Sequence, residues 1–270
     1  MKNAFRCVPA LALSAALFAG TAAAAGFSSS STQAGEVAHF SADQIVGFAK
    51  KVEHTMAAKG ARVAILARMG RPPSELPEGM HFTHVAFAVY SEITTTDGRK
   101  VNGYSIYNLY QRDDRPEVSD LVQDFPVDFF AGVARLEAGI IVPSAELQRR
   151  LLDVIGSPTY AALHQPDYSV IANPFTLGRQ NCTEFVLDVV NAAIYQTGDI
   201  KVIKANEKAF FTAQPVNVNP LKLIFGSMFS AEVSTADQPD LPPVTATFEK
   251  IGEYLQKYDN GALVLTVLAD

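Results

Sequence analysis

The pattern of apolar and polar positions predicts a chain that mixes helices with short strands. Behind Ser41, the residues Ile45, Phe48, Val52 and Met56 recur at helical spacing, which indicates an amphipathic helix. Short apolar runs bounded by turn signals are typical of strands. Such runs span residues 63–67, 82–91, 101–111, 138–142, 167–172 and 263–267.

Further helices are predicted from the same periodicity, and turn-forming residues separate them. The helices fall at residues 126–133, 144–155, 182–195, 220–229 and 248–258, and the irregular segments fall at 70–79, 112–124, 173–180 and 237–243. No internal repeat or break in composition divides the chain. We therefore expect one α+β domain over residues 41–270, with a core at about 41–195 and a C-terminal helical extension at 196–270.

The N-terminus has the organisation of a secretory signal peptide. Lys2 and Arg6 precede an apolar stretch at residues 8–19, and small residues follow at 21–25. We expect cleavage after residue 25, a flexible tether at 26–40 and a periplasmic or secreted protein. The alternative is an uncleaved N-terminal anchor, but the apolar stretch is short for a span of ~20 residues. No stable membrane anchor is expected after cleavage.

Composition excludes several classes of protein. The 270 residues are 48% hydrophobic and 19% charged, so the chain can bury a core. The net charge of −6 becomes −8 when Lys2 and Arg6 leave with the signal, and an acidic protein is a poor partner for nucleic acid. We expect no metal site and no cofactor, and the oligomeric state stays open.

Signal cleavage also changes the cysteine count. The chain has two cysteines, Cys7 and Cys182, and Cys7 lies in the predicted signal. One unpaired thiol then enters an oxidising compartment, where it is either a buried, inert residue or a reactive nucleophile. Cys182 opens a predicted helix, where backbone N–H groups and the helix dipole favour the thiolate. Its own N–H can donate to an oxyanion.

A thiolate nucleophile needs an imidazole partner, and His84 has the best context. Strand alternation places His84, Ala86 and Ala88 on one face of a strand, where small side chains leave room for the Cys182 helix. Asn108, on the following strand, could orient the imidazole, with Gln111 in reserve. The alternatives are a core histidine and a solvent-facing asparagine.

Weaker candidates surround these three residues. Gln180 could supply a side-chain donor to an oxyanion. Arg68 and Arg179 could meet a substrate carboxylate, although arginines are common at protein surfaces.

Two family resemblances follow from these segments. The order of a strand with His84, a strand with Asn108 and a later helix opened by Cys182 resembles circularly permuted papain-like hydrolases, which include bacterial cell-wall peptidases and the lecithin-retinol acyltransferase group. The chain also resembles the secreted bacterial domain-of-unknown-function family 2145, over about residues 40–195. The matching segments are VAILARMGR (63–71), FTHVAFAVY (82–90), AGIIVPS (138–144) and YSVIANPFTLGRQNCTEFVLD (168–188).

The papain-like resemblance implies a fold and an activity. The fold is an antiparallel sheet packed against the helix that begins at Cys182. The resemblance makes Cys182 the nucleophile, His84 the base and acid, and Asn108 the orienting group. The implied activity is an exported cysteine hydrolase or acyl-transferase acting on an amide or ester of a cell-envelope peptide or lipid. The alternative is a non-catalytic periplasmic binding module of the same shape, because the sequence holds no other catalytic signature.

Overall fold

A computed structural model describes residues 39–216, 237–239 and 242–269 of the chain. Its centre is a six-stranded sheet made of β1 (Val63–Met69), β2 (His84–Thr94), β3 (Lys100–Gln111), β4 (Ser119–Asp124), β5 (Arg135–Val142) and β8 (Leu263–Leu268). The strand order is β4-β3-β2-β1-β5-β8, and every neighbouring pair is antiparallel. A separate two-stranded ribbon pairs β6 (Gln214–Pro215) with β7 (Val244–Thr245). The predicted α+β class is confirmed.

Helices cover both faces of the sheet. They are α1 (Ala42–Ala58), α2 (Pro126–Phe130), α3 (Ala145–Ile155), α4 (Pro158–Ala162), α5 (Cys182–Tyr195), α6 (Ile200–Phe210) and α7 (Phe248–Tyr258), with a 3₁₀ turn at Pro73–Glu75. The predicted cap of α1 is present: Ser41 and Gln44 form a reciprocal capping box. No helix in the described ranges is long and apolar enough to cross a membrane.

Strand alternation divides most of the core into two large apolar clusters. One cluster joins the face of β2 that carries Val85, Phe87 and Val89 to α5 and α7. The other joins the face that carries Ala86 and Ala88 to α1 and α2. Because both faces are covered, all seven residues of β1 are buried, which explains why its sequence is almost continuously apolar.

Two predicted assignments are wrong, and the short helix α4 was not predicted. Residues 119–124 lie in β4 rather than in an irregular segment, because their backbone pairs with β3 even though most of their side chains are polar. Residues 167–172 make only isolated bridges, Val118 to Asp167 and Tyr168 to Gln180, rather than a strand. The predicted helix at 220–229 and the predicted signal at 1–25 lie outside the described residues.

Candidate active site

The helix α5 begins at Cys182, where the sequence predicted it to begin. Asn181 is the N-cap, and its Oδ1 accepts from the Glu184 N–H at 2.9 Å. The Asn181 Nδ2 donates to the carbonyl of Val170 at 2.9 Å, which fixes the cap against the preceding loop. The start of the helix, and therefore the position of Cys182, is held from two sides.

The Cys182 sulfur lies where β2 and β3 separate. The ladder between these strands begins at the pair Phe87 and Tyr107, so the first residues of β2 have no partner on β3. The N–H of Val85, in this unpaired stretch, donates to the Cys182 sulfur. A strand N–H points roughly within the sheet, so the sulfur lies at the level of the sheet, one peptide bond from His84.

The surroundings of the sulfur act in opposite directions on the thiol. Burial raises the pKa of the Cys182 thiol, because it disfavours the charged thiolate. The Val85 N–H, the charge of Arg68 and the N–H groups of Thr183 and Cys182 all lower the same pKa. The net shift is upward, so the resting residue is a thiol in a setting already prepared for a thiolate.

His84 and Asn108 are joined by a hydrogen bond across the separated strands. The His84 Nε2 lies 3.0 Å from the Asn108 Oδ1. The Asn108 Nδ2 donates to the Asp124 Oδ1 at 2.9 Å, and the Tyr110 hydroxyl donates to the Asp124 Oδ2 at 2.8 Å. The ring of His84 also stacks on the ring of Tyr110, with centroids 5.0 Å apart.

This network assigns the His84 tautomer. Asp124 accepts from the amide nitrogen of Asn108, so the amide oxygen faces His84 and accepts from Nε2–H. In the neutral ring, Nδ1 is then the nitrogen with the lone pair. Burial and the charge of Arg68 lower the pKa of His84 well below its ordinary value, against the raising effect of Asn108. The imidazole is therefore neutral at pH 7 and can accept a proton.

Arg68 is buried beside this pair and lies directly across the β1–β2 ladder from His84. Its Nη1 donates to the carbonyl of Phe129, and its guanidinium lies 5.0 Å from the Phe129 ring and 5.8 Å from the Tyr110 ring. Its Nε and Nη2 have no hydrogen-bond partner. A buried guanidinium with two unsatisfied nitrogens is rare, because such groups lose hydration without compensation.

One expectation about His84 is wrong. We expected the face of β2 with His84, Ala86 and Ala88 to receive the Cys182 helix, but α1 and α2 cover that face. The helix α5 packs on the opposite face, against Val85 and its alternate neighbours. The Val85 N–H reaches the Cys182 sulfur where the two strands separate.

The weaker candidates are placed as follows. Gln180 is fully buried, and its Nε2 already donates to Asp188 and to the Leu163 carbonyl, so its amide is not directed at Cys182. Arg179 is partly buried and donates to the Tyr168 carbonyl. The reserve candidate Gln111 donates to the carbonyl of Pro116 rather than to His84.

Sequence reasoning missed Asp124 and Tyr110. Tyr110 stands two residues after Asn108 on the same strand, so alternation already placed the two on one face. Asp124 had no such signal, because the strand that carries it was predicted to be irregular. Burial raises the pKa of Asp124 to about 6, although its hydrogen bond from Tyr110 and the charge of Arg68 lower it.

Within the described residues, no group of three or more histidine, cysteine, aspartate or glutamate side chains is arranged to hold a metal ion. A search of curated proteins and a search of solved structures both find no match. A family model described as an uncharacterized protein conserved in bacteria matches residues 55–255, which include every candidate residue above. The chain therefore belongs to the DUF2145 family of uncharacterized bacterial proteins.

Proposed function

We propose that this protein is a papain-like cysteine hydrolase or acyl-transferase that acts on an amide or ester bond in the cell envelope. The observation that carries the proposal is the oriented imidazole: Nε2–H of His84 is committed to Asn108, which leaves Nδ1 as the base. The N–H of Val85, the residue after His84, and N–H groups from the first turn of α5 surround the Cys182 sulfur. The predicted signal at residues 1–25 motivates the envelope as the site of action.

The reaction would proceed in two steps. His84 Nδ1 takes the Cys182 proton as the sulfur attacks the carbonyl carbon, and the S–C bond forms while the carbonyl electrons move to oxygen. The backbone N–H groups at the start of α5 stabilise that oxyanion. His84 then donates the proton to the departing amine or alcohol as the C–N or C–O bond breaks. Water or a second acceptor then attacks the thioester carbonyl, its proton passes through His84 to the sulfur, and the S–C bond breaks to release the acyl product and the thiol.

A papain-like fold in permuted order is part of this proposal. Its support is the sequence of elements: the strand with His84, the strand with Asn108, and then α5 packed on the sheet. The second candidate is a non-catalytic binding module of the same shape. The buried, protonated state of the Cys182 thiol favours it, because a structural cysteine has these properties.

Acylation by p-nitrophenyl acetate separates the two candidates. We expect mass spectrometry to find an acetyl group on Cys182, and His84→Gln to slow nitrophenol release by about 100-fold or more. The matched control is His164→Gln. His164 Nε2 lies 2.9 Å from the Ser119 hydroxyl, so this variant breaks a comparable histidine hydrogen bond away from the site. Absence of acylation at Cys182, or equal rates in the two histidine variants, would favour the binding module.

A further inference from the structure

We propose that Arg68 is a positioning residue whose guanidinium, rather than an imidazolium of His84, is the cation that stabilises the Cys182 thiolate. This inference deepens the proposed function, because it assigns the charge states of the same site. In a thiolate–imidazolium pair, the histidine supplies the positive charge. Here a permanently charged side chain lies beside Cys182 and His84, and none of the ion pairs formed within the described ranges includes it.

The first argument is the unused capacity of the guanidinium. Arg68 is 1% exposed, and one of its three nitrogens donates, to the Phe129 carbonyl. Its Nε and Nη2 have no partner, and the ion pairs found among the described residues do not include Arg68. A buried cation without an anion is costly, so the site gains when a negative charge forms nearby. A thiolate is such a charge.

The second argument is position. Arg68 and His84 are direct partners in the β1–β2 ladder, and the amide that follows His84 holds the sulfur. The backbone of Arg68 therefore lies about one strand spacing, ~4.8 Å, from the strand that contacts the thiol. The rings of Phe129 and Tyr110 fix the guanidinium there and exclude water, so its field is weakly screened.

The third argument is the sign of its effect on each partner. The charge of Arg68 lowers the pKa of the Cys182 thiol and also the pKa of His84. An imidazolium would favour the thiolate only while it kept its own proton. A fixed cation favours the thiolate and keeps the imidazole neutral, which leaves Nδ1 able to accept a proton.

The other titratable groups near Cys182 and His84 do not supply this positive charge. They are His84 on β2, Tyr110 on β3, Asp124 on β4, Asp128 on α2, Tyr168 in the loop before α5 and Glu184 on α5 itself. Of these side chains, the histidine is the one whose protonated form carries a positive charge. Asp124 is the carboxylate whose pKa the charge of Arg68 lowers, and its two oxygens accept hydrogen bonds from Asn108 and Tyr110.

The test is the pH profile of Cys182 alkylation by iodoacetamide, in which the thiol proton leaves to the buffer and the sulfur displaces iodide. We expect Arg68→Met to raise the apparent thiol pKa by about one unit and to slow alkylation at pH 7 by about tenfold. Arg68→Lys keeps the charge and should recover most of the wild-type profile. His84→Gln should shift the apparent pKa much less than Arg68→Met.

The matched control is Arg62→Met. Arg62 precedes β1 and also places its guanidinium over a tyrosine ring, that of Tyr90 at 6.0 Å, but it is exposed and distant from Cys182. It should leave the profile unchanged. A second readout is the rate ratio of anionic iodoacetate to neutral iodoacetamide, which we expect to fall in Arg68→Met and to stay constant in Arg62→Met.

Two outcomes would overturn the inference: an unchanged profile in Arg68→Met, or a larger shift in His84→Gln than in Arg68→Met. If Arg68→Met does not fold by circular dichroism, His84→Gln alone decides the question: a rise of about one unit in the apparent thiol pKa of that variant would overturn the inference. Alkylation requires no turnover, so this result is independent of whether the protein hydrolyses an ester. A protein with the expected profile but no acylation would retain the Arg68 assignment and lose the proposed activity.

Discussion

Two buried charged clusters lie near α5, and they differ in how completely their charges are paired. At the first, Arg68 uses one of its three nitrogens for a hydrogen bond. At the second, the Lys204 Nζ contacts three carboxylates, Glu184 at 2.7 Å, Asp188 at 2.6 Å and Glu207 at 3.3 Å. The first cluster has a cation in need of an anion, and the second has more carboxylates than cations.

The second cluster connects helices rather than forming a reactive site. Lys204 and Glu207 lie on α6, whereas Glu184 and Asp188 lie on α5. The Asn191 Nδ2 donates to Glu207, and the Tyr254 hydroxyl of α7 donates to the Asn191 Oδ1 at 2.8 Å. A cation whose nitrogen contacts several carboxylates, which we call saturated, stabilises the fold. A cation with nitrogens that lack partners, such as Arg68, we call unsaturated, and it indicates a place where another charge is expected.

The largest effect should follow removal of the saturated cation. Lys204→Met leaves three buried carboxylates without their partner, so we expect the free energy of unfolding to fall by about 3–5 kcal/mol. Urea denaturation measures this. Lys50→Met is the control, because Lys50 forms an exposed pair with Glu53 and its loss should cost less than about 1 kcal/mol. Equal losses in the two variants would remove the distinction between the clusters.

A smaller effect should appear in the dependence of stability on pH. Burial raises the pKa of Asp124 to about 6, above its value of 3.8 in the unfolded chain. The folded state therefore binds more protons between these values, and the contribution of Asp124 to stability is full below pH ~4 and is lost as the pH rises through ~6, by about 3 kcal/mol. Asp124→Asn should flatten this window. Asp120→Asn, an exposed change on the same strand, should not.

The second cluster should titrate in a wider window. Burial raises the pKa of Glu184 to about 8, although the charge of Lys204 lowers it. Because the folded-state pKa is again raised, the stabilising contribution of Glu184 is lost as the pH rises from about 4.5 through 8. The midpoint temperatures of thermal unfolding of Glu184→Gln and Asp124→Asn can be measured from pH 4 to 9. We expect each variant to depart from wild type over its own range of pH. A common window for both variants would contradict the separation.

The smallest effect on stability should follow removal of the unsaturated cation. Arg68→Met keeps apolar packing against Phe129 and Tyr110 but removes a buried charge that has one hydrogen bond. Such replacements are often neutral or stabilising, so we expect a change within about 1 kcal/mol in urea denaturation. A loss as large as that of Lys204→Met would show that Arg68 is structural.

The sequence predicted those parts of the molecule that local patterns determine. The start of α5 at Cys182 follows from Asn181, which caps helices, and the strand with His84 follows from its apolar run. The partnership of His84 with Asn108 followed from strand order, because the intervening turn makes β2 and β3 neighbours. The catalytic roles of these residues stay predictions.

The parts that were missed depend on contacts between distant segments. The edge strand β4 is mostly polar, so only its pairing with β3 identifies it. The face of β2 that receives α5 could not be read from side-chain size, since large residues such as Phe87 pack against α5 and small residues against α1 and α2. The sequence likewise did not predict that Arg68 would have two nitrogens without a hydrogen-bond partner, because the position of an arginine in an apolar strand does not identify its neighbours.

The hydrogen bond from Val85 to the sulfur has a spectroscopic consequence. A thiolate is a stronger acceptor than a thiol, so the amide proton of Val85 should move downfield in an NMR spectrum when Cys182 ionises. The Phe87 amide, two residues along the same strand where the ladder with β3 begins, offers an internal reference. The separation of the two strands therefore gives the backbone itself a resonance that reports the charge of the cysteine without a substrate.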